Sequence, residues 1–135
     1  MNADNYIKGQ LAALAIRDGF HHGGVENMLA VANVIRNRVA QGWSGGDWMD
    51  VLDAEDAYIG TEYAPEKTKL RDMNVRVFLQ RLDDVYTGSE EDNTEGAVFY
   101  CELHKVTRQW FRENVLQRRA DHPMVAQVGQ VAFFK

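Results

Sequence analysis

Apolar residues recur at three- and four-residue steps through residues 24–39, a spacing typical of one face of an α-helix. They are Met28, Val31, Ala32, Ile35 and Val39, flanked by Leu29, Ala30 and Val34. Because these residues make the helix apolar nearly all round, the pattern predicts a central helix that its neighbours bury. Its polar residues Asn33, Asn37 and Arg38 therefore need hydrogen-bond partners, since buried amide and guanidinium groups are costly without them.

The segment before this helix predicts another helix and a short loop. Residues 3–17 carry apolar side chains at helical spacing. Gly19 and the pair Gly23-Gly24 predict that this helix stops and that the chain turns, because glycine readily adopts the backbone conformations that end helices. The predicted loop carries four residues with larger side chains, Asp18, Phe20, His21 and His22.

The rest of the chain predicts helices first and strands last. The first group is a glycine-rich loop at 41–47, a short helix at 48–52 capped by Asp47, an irregular loop at 53–65 and a long amphipathic helix at 66–86. The second group is a solvated acidic loop at 89–95, a strand at 96–101, a helix at 107–119 and two short strands around Gly129. The sequence thus predicts one α+β domain over residues 1–135, mostly helical, with a buried central helix and a small late antiparallel sheet.

Composition narrows the class of protein. The 135 residues are 45% hydrophobic and 26% charged, which is typical of one globular domain. The formal charge of −5 disfavours a nucleic-acid partner. The single cysteine, Cys101, excludes an intramolecular disulfide and is expected to be buried and inert. No apolar run is long enough to span a membrane, and the N-terminal residues do not form a signal peptide, so we expect a cytoplasmic location at synthesis.

Three blocks of residues carry a family resemblance. The first is Ala15-Ile16 with Glu26-Asn27-Met28 and the run AVANVIRNRV, the second is Gly96-Ala97 with Phe99-Tyr100 and Trp110, and the third is Val128-Gly129 with Phe133-Phe134. In order and spacing these blocks resemble the SleB-like cell wall hydrolase family, which includes spore-cortex-lytic enzymes and phage lysins. The resemblance covers nearly the whole chain.

This resemblance implies a lysozyme-like fold and cleavage of the glycan strand of peptidoglycan, by a lytic transglycosylase or a muramidase route. In that family a glutamate at the end of the first helix is the general acid. Such an acid needs a pKa raised by an apolar setting, so that it still holds its proton near neutral pH. Counting back without gaps from Asn37 puts that glutamate at Gly19, which cannot donate a proton.

Three hypotheses can account for the missing glutamate. In the first, Asp18 supplies the acid from the neighbouring position. In the second, Glu26 takes the role from the first turn of the central helix. In the third, the chain has lost catalysis and acts as an accessory protein that binds a glycan or a protein partner. Val131 in place of a family histidine, and Ala57-Tyr58-Ile59 in place of a polar loop, remove groups that would face a sugar and favour the third hypothesis or a different substrate.

Six further residues are candidates for contacting the glycan, because polar groups can bind sugar hydroxyls and aromatic rings can stack on sugars. They are His21, His22, Asn37, Tyr58, Tyr100 and Trp110. Asn37 has a structural alternative, in which it and Arg38 hold loop carbonyls against the helix. No third histidine is placed near His21 and His22 in sequence to complete a metal site, so we expect no metal and no cofactor. The alternative for this pair is that both side chains face solvent. The oligomeric state stays open.

Overall fold

The structure is a computed structural model that describes residues 3–56, 75–103 and 109–135. Its helices are α1 (Ala3–Gly23), α2 (Val25–Ala40), α3 (Trp48–Asp56), α4 (Val75–Thr87) and α5 (Gln109–Phe111). Two further helical segments are a 3₁₀ turn at Trp43–Gly46 and a π-helical turn at Arg112–Leu116. The strands are β1 (Phe99–Glu102), β2 (Met124–Val128) and β3 (Val131–Phe134). The predicted α+β class, mostly helical with a small late antiparallel sheet, is confirmed.

Helix α2 is the buried centre that the apolar periodicity predicts, displaced by one residue. Every side chain from Asn27 to Ile35 is buried. One side of α2 packs on α1, α3 and α4 in a core that includes Leu14, Met28 and Phe78. The opposite side carries Ala30 and Val34 against the sheet. Helix α2 therefore buries apolar area on both of its sides, which contributes hydrophobic stabilisation to both parts of the core.

The junction between α1 and α2 differs from the predicted loop. Helix α1 continues without a break through Asp18 and Gly19 to Gly23, and the turn is the single residue Gly24, with φ 78° and ψ −142°. The prediction of a loop over residues 18–24 is therefore wrong. A Cβ atom at Gly19 would lie 2.8 Å from the backbone N and Cα of Met28. Gly19 therefore lets the two helices approach each other, and this close contact accounts for a glycine inside a helix.

The sheet has the strand order β1-β3-β2, with both pairs antiparallel. In the β1 pair Phe99 lies opposite Phe134 and Glu102 opposite Val131. The β2 pair has a register shift near its start, between Met124 and Ala126. All four residues of β3 are buried, as expected for the central strand. The prediction of two strands around Gly129 is confirmed.

The apolar positions that predict helix α4 include Val77, Leu79, Leu82 and Val85, and the structure buries only the last two of these four. Phe78, Leu82 and Val85 are buried at helical spacing, whereas Val77 and Leu79 are 42% and 45% exposed. Helix α3 runs four residues further than predicted, and its cap at Asp47 is confirmed because the Asp47 Oδ1 atom accepts a hydrogen bond of 2.8 Å from the Met49 N–H. The parts of the predicted loop at 53–65 and of the predicted helices at 66–86 and 107–119 that fall within residues 57–74 and 104–108 lie outside the described residues.

The two remaining helical turns are shorter than the helix predicted at 107–119. They occupy Gln109–Phe111 and Arg112–Leu116, and they pack Phe111, Val115 and Leu116 against the outer side of the sheet. Within the described part of the chain, no helix combines the length and the hydrophobicity that a membrane crossing requires.

Candidate active site

Asp18 lies where the C-terminal part of α1 meets β1. Its Oδ1 atom accepts a hydrogen bond of 2.6 Å from Arg17 Nε, and its Oδ2 atom accepts one of 2.8 Å from Arg17 Nη2. The hydroxyl of Tyr100, which is 82 residues away in sequence, also donates to Asp18 Oδ2. The Asp18 side chain is 22% exposed, so it combines partial burial with access to solvent. Charge-assisted hydrogen bonds of this kind fix the orientation of a carboxylate.

The guanidinium of Arg38 contacts the rings of Trp43 and Tyr100, and we call these two rings the aromatic wall. The Arg38 guanidinium lies 4.8 Å from the centre of the Trp43 ring and 6.0 Å from the centre of the Tyr100 ring. Arg38 is buried, and its Nε atom donates a hydrogen bond of 2.8 Å to the Val98 carbonyl. Cation–π contacts of this geometry are stronger where water is excluded. We call the group of Arg17, Asp18, Arg38, Trp43 and Tyr100 the Asp18 cluster.

The position that the resemblance assigns to the family glutamate is closed to side chains. Gly19 is buried, and a Cβ atom added there would lie 2.8 Å from the Met28 backbone and 2.9 Å from the Asn27 carbonyl carbon. These are main-chain atoms of a central helix, so they cannot move aside as a flexible side chain could. In this fold the carboxylate nearest in sequence to that position is Asp18.

Glu26, the second candidate acid, lies in a different environment. Its side chain is 57% exposed and forms a salt bridge of 2.7 Å with Arg81 of α4. Arg81 also contacts Glu90, with an N–O distance of 2.7 Å. Hydrogen bonds from Arg81 to Glu26 and then to Glu90 raise the pKa of the Arg81 guanidinium. Glu26 contacts Arg81 and Asn93, whereas Asp18 contacts Arg17 and Tyr100, so the two candidate acids have different partners among the described contacts.

Asn37 is engaged by the loop between α4 and β1. Its Nδ2 atom donates to Asp92 Oδ2 and to the Ala97 carbonyl, both at 2.9 Å, and lies 3.5 Å from Thr94 Oγ1. These contacts belong to the structural alternative for Asn37, in which its amide holds the loop on α2. The loop predicted as a solvated acidic segment is thus attached to the central helix, and its residue Thr94 is buried.

The carboxylate of Asp92 is one of the groups that attach this loop to α2. Burial raises the pKa of Asp92, but hydrogen bonds from the Thr94 hydroxyl, from Asn37 and from the N–H groups of Thr94 and Gly96 outweigh burial and lower the pKa overall. Asp92 was not among the residues predicted from the sequence. The spacing Asp92, Thr94, Gly96 is a signal that could have identified it, since an aspartate often accepts from a backbone N–H two residues ahead in a turn.

Of the other residues predicted to contact sugars, only Trp110 has a side chain that the structure describes apart from Asn37 and Tyr100. Trp110 of α5 is 60% exposed, and its ring centre lies 6.3 Å from that of Phe99, which in turn lies 5.4 Å from Trp43 of the Asp18 cluster. His21 and His22 belong to α1, but their side chains lie outside the described residues, as does the whole of Tyr58. Among the side chains that the structure describes, no group of histidine, cysteine and acidic residues could hold a metal ion.

The sequence and the fold of this chain are similar to those of known proteins. A family model described as Cell Wall Hydrolase matches residues 23–134. The catalytic domain of the Bacillus cereus SleB protein has a similar fold, with a TM-score of 0.59 and 21% identity over 96% of this chain and 91% of that chain. The catalytic domain of the germination-specific lytic transglycosylase SleB from Bacillus anthracis has a TM-score of 0.60 and 20% identity over 100% of this chain and 99% of that chain. No curated protein sequence matches this chain.

Proposed function

Because this chain belongs to the cell wall hydrolase family, we propose that it cleaves the glycan strand of peptidoglycan with Asp18 as its catalytic carboxyl group. The observation that carries the proposal is the position of Asp18, a partly exposed carboxylate oriented by Arg17 and Tyr100 beside an aromatic wall. The fold shared with a lytic transglycosylase from Bacillus anthracis supports the same class of reaction.

The proposed chemistry is one proton cycle at one carboxyl group. Breaking the bond between the sugar C1 atom and the bridging oxygen requires a proton on that oxygen, and the Asp18 carboxyl group supplies it. The electron pair of the broken bond stays on the leaving oxygen. The Asp18 carboxylate then takes a proton either from the C6 hydroxyl of the same sugar, which closes an anhydro ring on C1, or from a water molecule that attacks C1. Both routes return Asp18 to its protonated form.

Arg17 and Tyr100 have distinct roles in this cycle. Both donate to the carboxylate that forms once Asp18 has given up its proton, so they stabilise the product of the first step. The Tyr100 hydroxyl contacts Oδ2 and sets the direction of the side chain. Aspartate is one methylene shorter than glutamate, so the substrate must approach α1 more closely than a glutamate would require.

The aromatic wall and the nearby Trp110 are the proposed binding surface for the sugar rings. Trp110 offers the most exposed ring of the described aromatic residues, and Tyr100 contacts the catalytic carboxylate directly. His21, His22 and Tyr58 stay predictions as further contacts.

Release of muropeptides from purified peptidoglycan, followed by mass spectrometry, tests the proposal. We expect soluble fragments from the parent, and their anhydro or reducing ends identify the route. Asp18→Asn removes the titratable proton with almost no change in shape, so release should fall at least about a hundredfold. Glu26→Gln is the matched control and should retain activity. An Asp18→Asn variant as active as the parent would disprove the assignment.

A second candidate function is binding without cleavage. Two observations favour it: both Asp18 oxygens accept hydrogen bonds from the protein itself, and Gly19 leaves no space for the family glutamate. In this case the parent protein releases no fragments over a wide pH range but still sediments with peptidoglycan in a saturable manner. If the chain is instead an accessory protein that binds a protein partner, that partner should compete with peptidoglycan for the chain or bind the chain in the absence of glycan.

A further inference from the structure

The carboxylate of Asp92 accepts four hydrogen bonds from two parts of the fold. Its Oδ1 atom accepts from the Thr94 N–H at 2.9 Å and from the Thr94 hydroxyl at 2.6 Å. Its Oδ2 atom accepts from the Gly96 N–H and from Asn37 Nδ2, both at 2.9 Å. One side chain therefore closes the turn over residues 92–96 and attaches it to α2.

The chain leaving this turn is held by α2 until β1 begins. Asn37 Nδ2 donates to the Ala97 carbonyl at 2.9 Å, and Arg38 Nε donates to the Val98 carbonyl at 2.8 Å. On its other edge, the Val98 N–H donates to the Phe134 carbonyl at 2.9 Å. Tyr100 follows Val98 by two residues, about 7 Å along an extended strand. A change in the position of the Val98 backbone should therefore also change the position of the Tyr100 ring.

We propose that Asp92 is a positioning residue that holds the Tyr100 hydroxyl on Asp18 by ordering the turn that leads into β1. Asp92 touches neither Tyr100 nor Asp18 among the described contacts, so it acts through Asn37 and the backbone at 96–98. Its effect on turnover rests on the proposed function. Its effect on the Tyr100 hydroxyl does not, and the two can be measured separately.

Asp92→Asn is a sharp perturbation of this arrangement. Each carboxylate oxygen accepts two donors, so in either amide orientation the new NH₂ group of asparagine faces two donors and accepts from neither. Glu91→Gln is the matched control, because it removes the same charge from the adjacent, exposed residue. Thr94→Val is a milder second variant that removes one donor to Oδ1 and keeps the buried volume.

The readout is the ¹³C resonance of the Tyr100 ring carbon that bears the hydroxyl, in protein labelled at tyrosine and assigned with Tyr100→Phe. Asp18→Asn gives the position of this resonance when the carboxylate partner is removed. We expect Asp92→Asn to move the resonance toward that position, Thr94→Val to move it part of the way, and Glu91→Gln to leave it in place. Circular dichroism checks that each variant is folded.

Turnover supplies the second readout. In an active parent, Asp92→Asn should lower kcat by about tenfold to a hundredfold with little change in KM, because misplacing a catalytic group affects the chemical step. A folded Asp92→Asn protein whose Tyr100 resonance is unmoved overturns the inference, and should Asp92→Asn not fold, an unmoved resonance in Thr94→Val does so. An inactive parent whose Tyr100 resonance still responds to Asp92 would refute the proposed function and leave the positioning role supported.

Discussion

Replacing Gly19 by alanine tests whether the contact between α1 and α2 needs a glycine. The new Cβ atom would lie 2.8 Å from the backbone N and Cα of Met28, about 0.7 Å closer than the ~3.5 Å at which carbon atoms pack favourably. The atoms it meets belong to a main chain that is buried on all sides, so the helices themselves must separate. Overpacking of this kind typically costs about 1–3 kcal/mol of the free energy of unfolding.

Gly9→Ala is a control within the same helix. A Cβ atom at Gly9 meets nothing within 4 Å, so this variant gains the helical preference of alanine over glycine, about 1 kcal/mol, without a clash. The same preference acts at Gly19 and cancels when the two variants are compared. Their free energies of unfolding should therefore differ by about 1–3 kcal/mol, with Gly9→Ala the more stable.

Thermal unfolding followed by circular dichroism measures this difference. At about 4 °C per kcal/mol for a domain of this size, the Tm of Gly19→Ala should lie about 4–12 °C below that of Gly9→Ala. Equal Tm values would refute the close-contact explanation for Gly19. They would also reopen the possibility that a glutamate at this position could be accommodated, in which case Gly19→Glu would be worth testing for muropeptide release.

Two further predictions concern acidic residues outside the Asp18 cluster. The folded-state pKa of Asp92 is lowered, so its contribution to stability is present above the unfolded-state pKa of about 3.9 and is lost as the pH falls through the folded-state pKa. In urea unfolding between pH 7 and pH 2, the parent should therefore lose its stability advantage over Asp92→Asn as the pH falls. An advantage that stays constant over this range would contradict the prediction. Glu26→Gln should lower the free energy of unfolding by less than about 1 kcal/mol, because the salt bridge between Glu26 and Arg81 is largely exposed. This small loss should shrink further in 1 M salt, which screens exposed charges. A large loss that salt does not change would contradict the prediction.

The sequence was most informative where burial alone decides the structure. The periodicity of residues 24–39 predicted α2 to within one residue, since a helix buried on all sides must show apolar residues nearly all round. The strands around Gly129 were equally predictable from their composition. In α4, however, the choice of Phe78 over Val77 and Leu79 as the buried residues depends on the neighbours of the helix, and local sequence does not contain that information.

The candidate site was less predictable, because its contacts join distant segments. Asp18 was identified as a candidate acid and Tyr100 as a substrate contact, but the hydrogen bond between them spans 82 residues and leaves no local pattern. The acidic run containing Asp92 resembles any solvated loop until the amides of Asn33 and Asn37 are known to face it. The polar residues of α2 did predict that partners exist, without identifying them.

The contact at Gly19 and the direction of Asp18 follow from one feature of helix geometry. Successive residues of an α-helix point about 100° apart, so a residue next to the one facing α2 cannot also face α2. Gly19 takes the direction that the Met28 backbone closes, and Asp18 takes the neighbouring direction, where Tyr100 of β1 meets it. A glutamate substituted at position 19 would be directed into α2 unless α1 rotated, and such a rotation would withdraw Asp18 from Tyr100. The close helix contact at Gly19 and the contact between Asp18 and Tyr100 are thus mutually dependent, so a glutamate at position 19 could not be accommodated without disturbing Asp18.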